Sequence, residues 1–115
     1  MEISIARGDQ KPLNFKIKNN KGELYADIDI DEIILTCRKY PNIESPIIFE
    51  KKKSTGDIVY DETSKSFSTL LASNDTNWLD YGTYGFDIEI HIDPIISTKT
   101  GVIKITEEYT IQGEW

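Results

Sequence analysis

Residues 84–92 read Tyr84-Gly85-Phe86-Asp87-Ile88-Glu89-Ile90-His91-Ile92. Tyr84, Phe86, Ile88, Ile90 and Ile92 share one parity; Gly85, Asp87, Glu89 and His91 share the other. Successive side chains of a strand point to opposite faces, so the stretch predicts a strand with one apolar and one polar face. A helical period would scatter the same residues around its axis. Asp93-Pro94 ends the run, since proline cannot donate to a strand ladder.

The same period recurs on both sides. Leu13, Phe15 and Ile17 alternate with Asn14, Lys16 and Lys18, and Asn19-Asn20-Lys21-Gly22 follows as a turn. Ile33-Ile34-Leu35-Thr36-Cys37-Arg38-Lys39 predicts a strand whose inward set is Ile33, Leu35 and Cys37. Pro41 and Pro46 bracket a loop, after which Ile47 and Phe49 share a strand face. Further short strands are expected at Ile3–Ala6, Ile58–Tyr60, Ser66–Leu71 and Val102–Thr106, the last running on through Tyr109 and Ile111. One helical turn is expected over Asn74-Asp75-Thr76-Asn77-Trp78-Leu79, capped by Asn74 or Asp75, with Trp78 and Leu79 tucked under the sheets and Gly82 ending it. About seven strands at roughly ten-residue spacing predict a single all-β domain, an immunoglobulin-like antiparallel sandwich over residues 1–115, with a small closed barrel as the alternative. Its expected core holds Phe15, Leu35, Phe86, Ile88, Ile90 and Ile103.

Composition bounds the function. The chain of 115 residues is long enough to bury roughly two-thirds of its unfolded surface without disulfide or metal. Its formal charge of −7 opposes docking on nucleic acid or anionic membrane. The basic run Lys51-Lys52-Lys53 reads as a solvated strand end rather than a binding stripe. The amino terminus lacks the pattern of a secretory signal, and no apolar run approaches the ~20 residues of a membrane span. With Cys37 alone, an internal disulfide is ruled out, and synthesis in a reducing cytoplasm is the expectation.

Few residues suggest chemistry. His91 shares a face with Asp87 and Glu89, a row that in principle holds a metal. Asp27-Ile28-Asp29-Ile30-Asp31-Glu32 is the densest acidic stretch; as a strand it would align three aspartates on one face as calcium donors. The bland reading of both is a solvated sheet edge, and neither metal nor cofactor is expected. No Gly-x-Ser-x-Gly elbow, Cys–His pair or glycine-rich phosphate loop is present, so no enzyme is expected. Arg7-Gly8-Asp9 is the integrin-binding tripeptide, read here as a turn made by Gly8 between the first two strands. Tyr40, Tyr60, Tyr81 and Trp115 are candidate stacking residues for a carbohydrate- or ligand-binding sandwich. The segment 109–115 carries one charge and an aromatic at each end, which makes Tyr109, Ile111 and Trp115 candidate partner contacts.

The order of Arg7-Gly8-Asp9, Leu13 to Ile17, Lys21-Gly22, Thr36-Cys37-Arg38-Lys39 and Tyr81-Gly82-Thr83-Tyr84-Gly85-Phe86-Asp87-Ile88 resembles the amino-terminal domain family of phage upper-baseplate (BppU-like) proteins. The resemblance spans nearly the whole chain. It implies a structural interaction module of a phage or prophage particle, tail- or baseplate-associated. The expected partners are other virion or tail proteins, with self-association as an option, and the expected location is the virion.

Overall fold

The computed structural model describes residues 2–40 and 44–106. Eight strands lie among them: β1 (Glu2–Ala6), β2 (Lys11–Phe15), β3 (Glu32–Arg38), β4 (Ile47–Lys52), β5 (Ile58–Asp61), β6 (Ser66–Leu71), β7 (Gly82–Ile92) and β8 (Ile95–Thr106). A 3-10 turn (Asp27–Asp29) precedes β3, and a single helical turn, α1 (Ser73–Thr76), separates β6 from β7. The strands form a five-stranded sheet, β1-β8-β7-β3-β4, and a three-stranded sheet, β2-β6-β5. This is the division of an immunoglobulin-type sandwich, in which the second, fourth and fifth strands of the pattern face a sheet built on the C, F and G strands. All pairings are antiparallel except that of β1, which lies parallel to β8.

Alternation explains the core. Ile33, Leu35 and Cys37 of β3, Phe86 and Ile88 of β7, Ile103 and Ile105 of β8 and Ile5 of β1 project from the large sheet. Ile58, Phe67 and Leu71 meet them from the small sheet, while Ile17, Ile30 and Leu79 close the ends. Phe67 sits at the centre, with the Phe15 ring at 6.0 Å and the Tyr60 ring at 4.9 Å. Each fully buried side chain of this size contributes about 1.5–3 kcal/mol by leaving water.

One contact marks the fold independently of period. The Tyr84 hydroxyl donates to the Asp80 carbonyl at 2.8 Å. Tyr84 stands at the start of β7, two residues before buried Phe86, and bonds back to backbone four residues upstream. That is the tyrosine corner of immunoglobulin sandwiches, with Phe86 where antibody domains carry a disulfide cysteine.

Several local expectations need correction. Phe15 and Ile90 are only partly buried. Phe15 ends β2, an edge strand of the small sheet, and Ile90 lies toward the far end of β7, opposite the exposed half of β8. The second strand stops at Phe15; Ile17 is buried beyond it, and the chain turns back through a Lys18–Leu24 bridge. Ile47 does not share the Phe49 face. A bulge between Cys37 and Arg38 leaves Ile48 unpaired, so Phe49 faces Cys37 while Ile47 faces Arg38 and is exposed. Residues 27–31 are not a strand: Asp29 Oδ2 accepts the Ala26 N–H at 2.9 Å and closes a local turn that competes with extended pairing. Trp78 is exposed while Leu79 is buried; α1 ends at Thr76, and the turn after it, closed by the Leu79 N–H on the Thr76 carbonyl at 3.0 Å, sends only Leu79 into the core. Gly82 is the first residue of β7, at φ +146, rather than a helix stop. The last strand begins at Ile95, directly after Asp93-Pro94, and so is longer than the sequence reading.

Candidate functional site

The acidic row on β7 divides between two partners. Asp87 Oδ2 accepts Arg38 Nε at 3.1 Å, and Arg38 also donates to the Ser45 carbonyl at 3.3 Å. The two charged side chains are 16% and 14% exposed, and buried Thr36 lies directly opposite Asp87 in the register. His91 Nε2 is 2.6 Å from Glu89 Oε1, an ion pair only when the imidazole is protonated. The calcium candidates also separate. Asp27 faces Lys53 at 3.3 Å, Asp29 caps Ala26, and Asp31 accepts the Asp93 N–H at 2.7 Å. Among the described residues, no three His, Cys, Asp or Glu side chains converge as metal donors.

The lysine run is spent on contacts within the chain. Lys51 is on the inner face of β4, since it pairs with Leu35, and Lys53 follows just beyond the strand's end. Lys51 reaches Asp75 at 2.9 Å and so ties β4 to α1. Lys53 Nζ donates to the Ile30 carbonyl at 2.8 Å. Lys52, on the outer face, pairs with Glu50 at 3.2 Å. Charges pointing inward at a sheet edge are a known guard against strand addition.

Arg7-Gly8-Asp9 forms the turn expected of it. Gly8 takes φ +82, and the Asp9 N–H donates to the Ala6 carbonyl at 3.0 Å. The tripeptide is docked on its own domain. Gly8 N–H donates to the fully buried Thr76 hydroxyl at 3.0 Å, and Arg7 reaches the Tyr81 hydroxyl at 3.1 Å with its guanidinium 4.4 Å from that ring.

The aromatic candidates lie on separate elements. Tyr60 packs on Phe67 and borders an open groove of about 550 Å³ with Asp27, Asp31, Lys53 and Glu62. Arg7 lies over one face of Tyr81, which stays 49% exposed, and Lys39 lies 5.5 Å from the ring of the exposed Tyr40. Trp115, Tyr109 and Ile111 lie outside the described residues. Burial, aided by the Asp75 charge, pushes the Cys37 thiol up to about 12, so it is inert at neutral pH. No described helix is long and apolar enough to cross a membrane.

The feature that sequence reading missed is the first half of β8. β1 pairs with Val102 to Thr106 only. Residues Ile95 to Gly101 pair with β7 on one side and, among the described residues, with no strand on the other. Ile95 and Ile96 are 63% and 60% exposed. The signal was the run Ile95-Ile96-Ser97-Thr98-Lys99-Thr100, rich in β-branched residues, just after a turn proline.

No family model matches the chain, and no curated protein matches it either.

Proposed function

We propose that the chain is a non-enzymatic structural interaction module of a phage or prophage particle, associated with its tail or baseplate. The observation that carries the interaction role is the half-edge of β8 left open among the described residues, a row of backbone donors and acceptors with two exposed isoleucines beside it. Such an edge recruits a strand from a partner. The particle assignment draws on the ordered motifs that resemble upper-baseplate domains. It is supported by the contact between two of them, since Arg7 of the Arg-Gly-Asp turn bonds Tyr81 at the head of the Tyr-Gly-x-Tyr segment. A carbohydrate-binding module is the second reading, and it draws on Tyr60 beside three carboxylates in the open groove.

The test is to induce particles in the producing strain, purify them on a density gradient and quantify this chain by mass spectrometry. Enrichment at a fixed ratio to a tail protein supports the particle role. Complete particles without the chain refute it. Glycan binding that Tyr60→Ala abolishes would move the assignment to the second reading.

A further inference from the structure

We propose that the open half of β8 pairs with the same segment of a second copy of this chain, antiparallel and about a two-fold axis normal to the sheet. The pairing joins the two five-stranded sheets into one. It rests on the reading of the chain as an interaction module.

The backbone sets which groups are offered. The Thr106 carbonyl accepts the Arg7 N–H at 3.1 Å, so Thr106 directs its backbone groups toward β1. The register of β8 against β7 is unbroken from Ile95 to Ile105. Backbone direction alternates along a strand, so Ile96, Thr98 and Thr100 direct their N–H and C=O groups to the same side, where β1 no longer covers them.

A second copy is the occupant that fits. Cross-strand partners share a face, so two-fold symmetry pairs odd residues with odd and even with even. The register centred on Ser97 sets Ser97 against Ser97, Ile96 against Thr98 and Ile95 against Lys99. It keeps the copy's hairpin turn clear of β1, which begins at Glu2 opposite Val102. Lys99 is the one charge between Ile95 and Gly101, and its opposite residue is Ile95, so no like charges meet. At the centre of the seam the outer row, Ile96 and Thr98 of each copy, is β-branched, a favourable cross-strand set.

The other edges carry guards. β4 has inward Lys51, and β2 has Pro12. β5 spans Ile58–Asp61 only, and the short β1 carries the Glu2–Lys104 ion pair at 3.1 Å. The first half of β8 has no proline within it and one charge, Lys99, on the face it shares with Ile88 and Ile103.

Sedimentation velocity over rising concentration tests the pairing, with chemical denaturation as the control for folding. The wild type is expected to dimerise. I96K/T98K sets Lys against Lys in this register and should be monomeric with an unchanged melt, because both residues are exposed. I96K/T98E sets Lys against Glu and should restore the dimer. A wild type monomeric up to about 1 mM, where association would be worth only about 4 kcal/mol, overturns the proposal. So does a dimer indifferent to I96K/T98K, or one that I96K/T98E fails to rescue. A monomeric wild type that still joins purified particles overturns the pairing and leaves the interaction role standing.

Discussion

Ile28 and Ile30 alternate with aspartates, and a strand would give them equal burial. The structure separates them, with Ile28 90% exposed and Ile30 2% exposed. Truncating each to alanine therefore performs the same chemical change in two environments. At Ile30 the lost transfer energy of a buried aliphatic side chain is joined by the cost of the residual cavity. Together these predict about 2–5 kcal/mol of destabilisation. The Ile30 carbonyl keeps its bond from Lys53, because that contact is backbone, so the measurement isolates the side chain. At Ile28 the change touches little and should stay within about 0.5 kcal/mol. Urea unfolding followed by tryptophan fluorescence reads both. With a slope of about 2 kcal/mol per molar, Ile30→Ala moves the midpoint down by about 1–2.5 M and Ile28→Ala leaves it in place. Equal shifts in the two variants would refute the turn at Asp27–Asp29 and reinstate a strand there.

Two further outcomes follow from single contacts. Tyr84→Phe keeps the ring and removes the bond to the Asp80 carbonyl, so it should cost about 0.5–1.5 kcal/mol in the same assay, and a neutral result would mean the corner does not hold the entry to β7. Cys37 should resist thiol reagents at pH 8 in the native protein and react at the rate of global unfolding; fast native labelling would contradict its burial.

Period two was legible wherever a strand has one wet and one dry face. Tyr84 to Ile92 and Ile33 to Cys37 lie where alternation puts them, and Leu35, Phe86, Ile88 and Ile103 are buried as expected. The errors fall where a local bond competes with extended pairing. Asp29 bonding back to Ala26 converts an alternating stretch into a turn, and the bulge at Cys37 reverses the face of Ile47. Neither is visible in hydrophobic pattern, because both are settled by backbone hydrogen bonds. The candidate chemistry misread for a related reason. Asp87, Glu89 and His91 do share a strand face, but Arg38 on β3 claims Asp87, and only tertiary pairing supplies that partner.

The open edge was harder to foresee than any side chain. A strand's own sequence states which face is dry but not how far its neighbours extend along it. Here the mismatch is one of length: β8 runs from Ile95 to Thr106, and β1 from Glu2 to Ala6. The half left uncovered among the described residues follows from that difference and from the parallel register that sets Glu2 beside Val102. Shifting β1 along β8 would cover Thr100 but uncover Ile105, and a shift by one residue would also turn Ile5 out of the core. The packing of Ile5 thus fixes where β1 lies, and the exposed half of β8 is a consequence of core register. A partner strand can satisfy that half-edge without disturbing the sandwich, which is why an interaction role is compatible with a stable isolated fold.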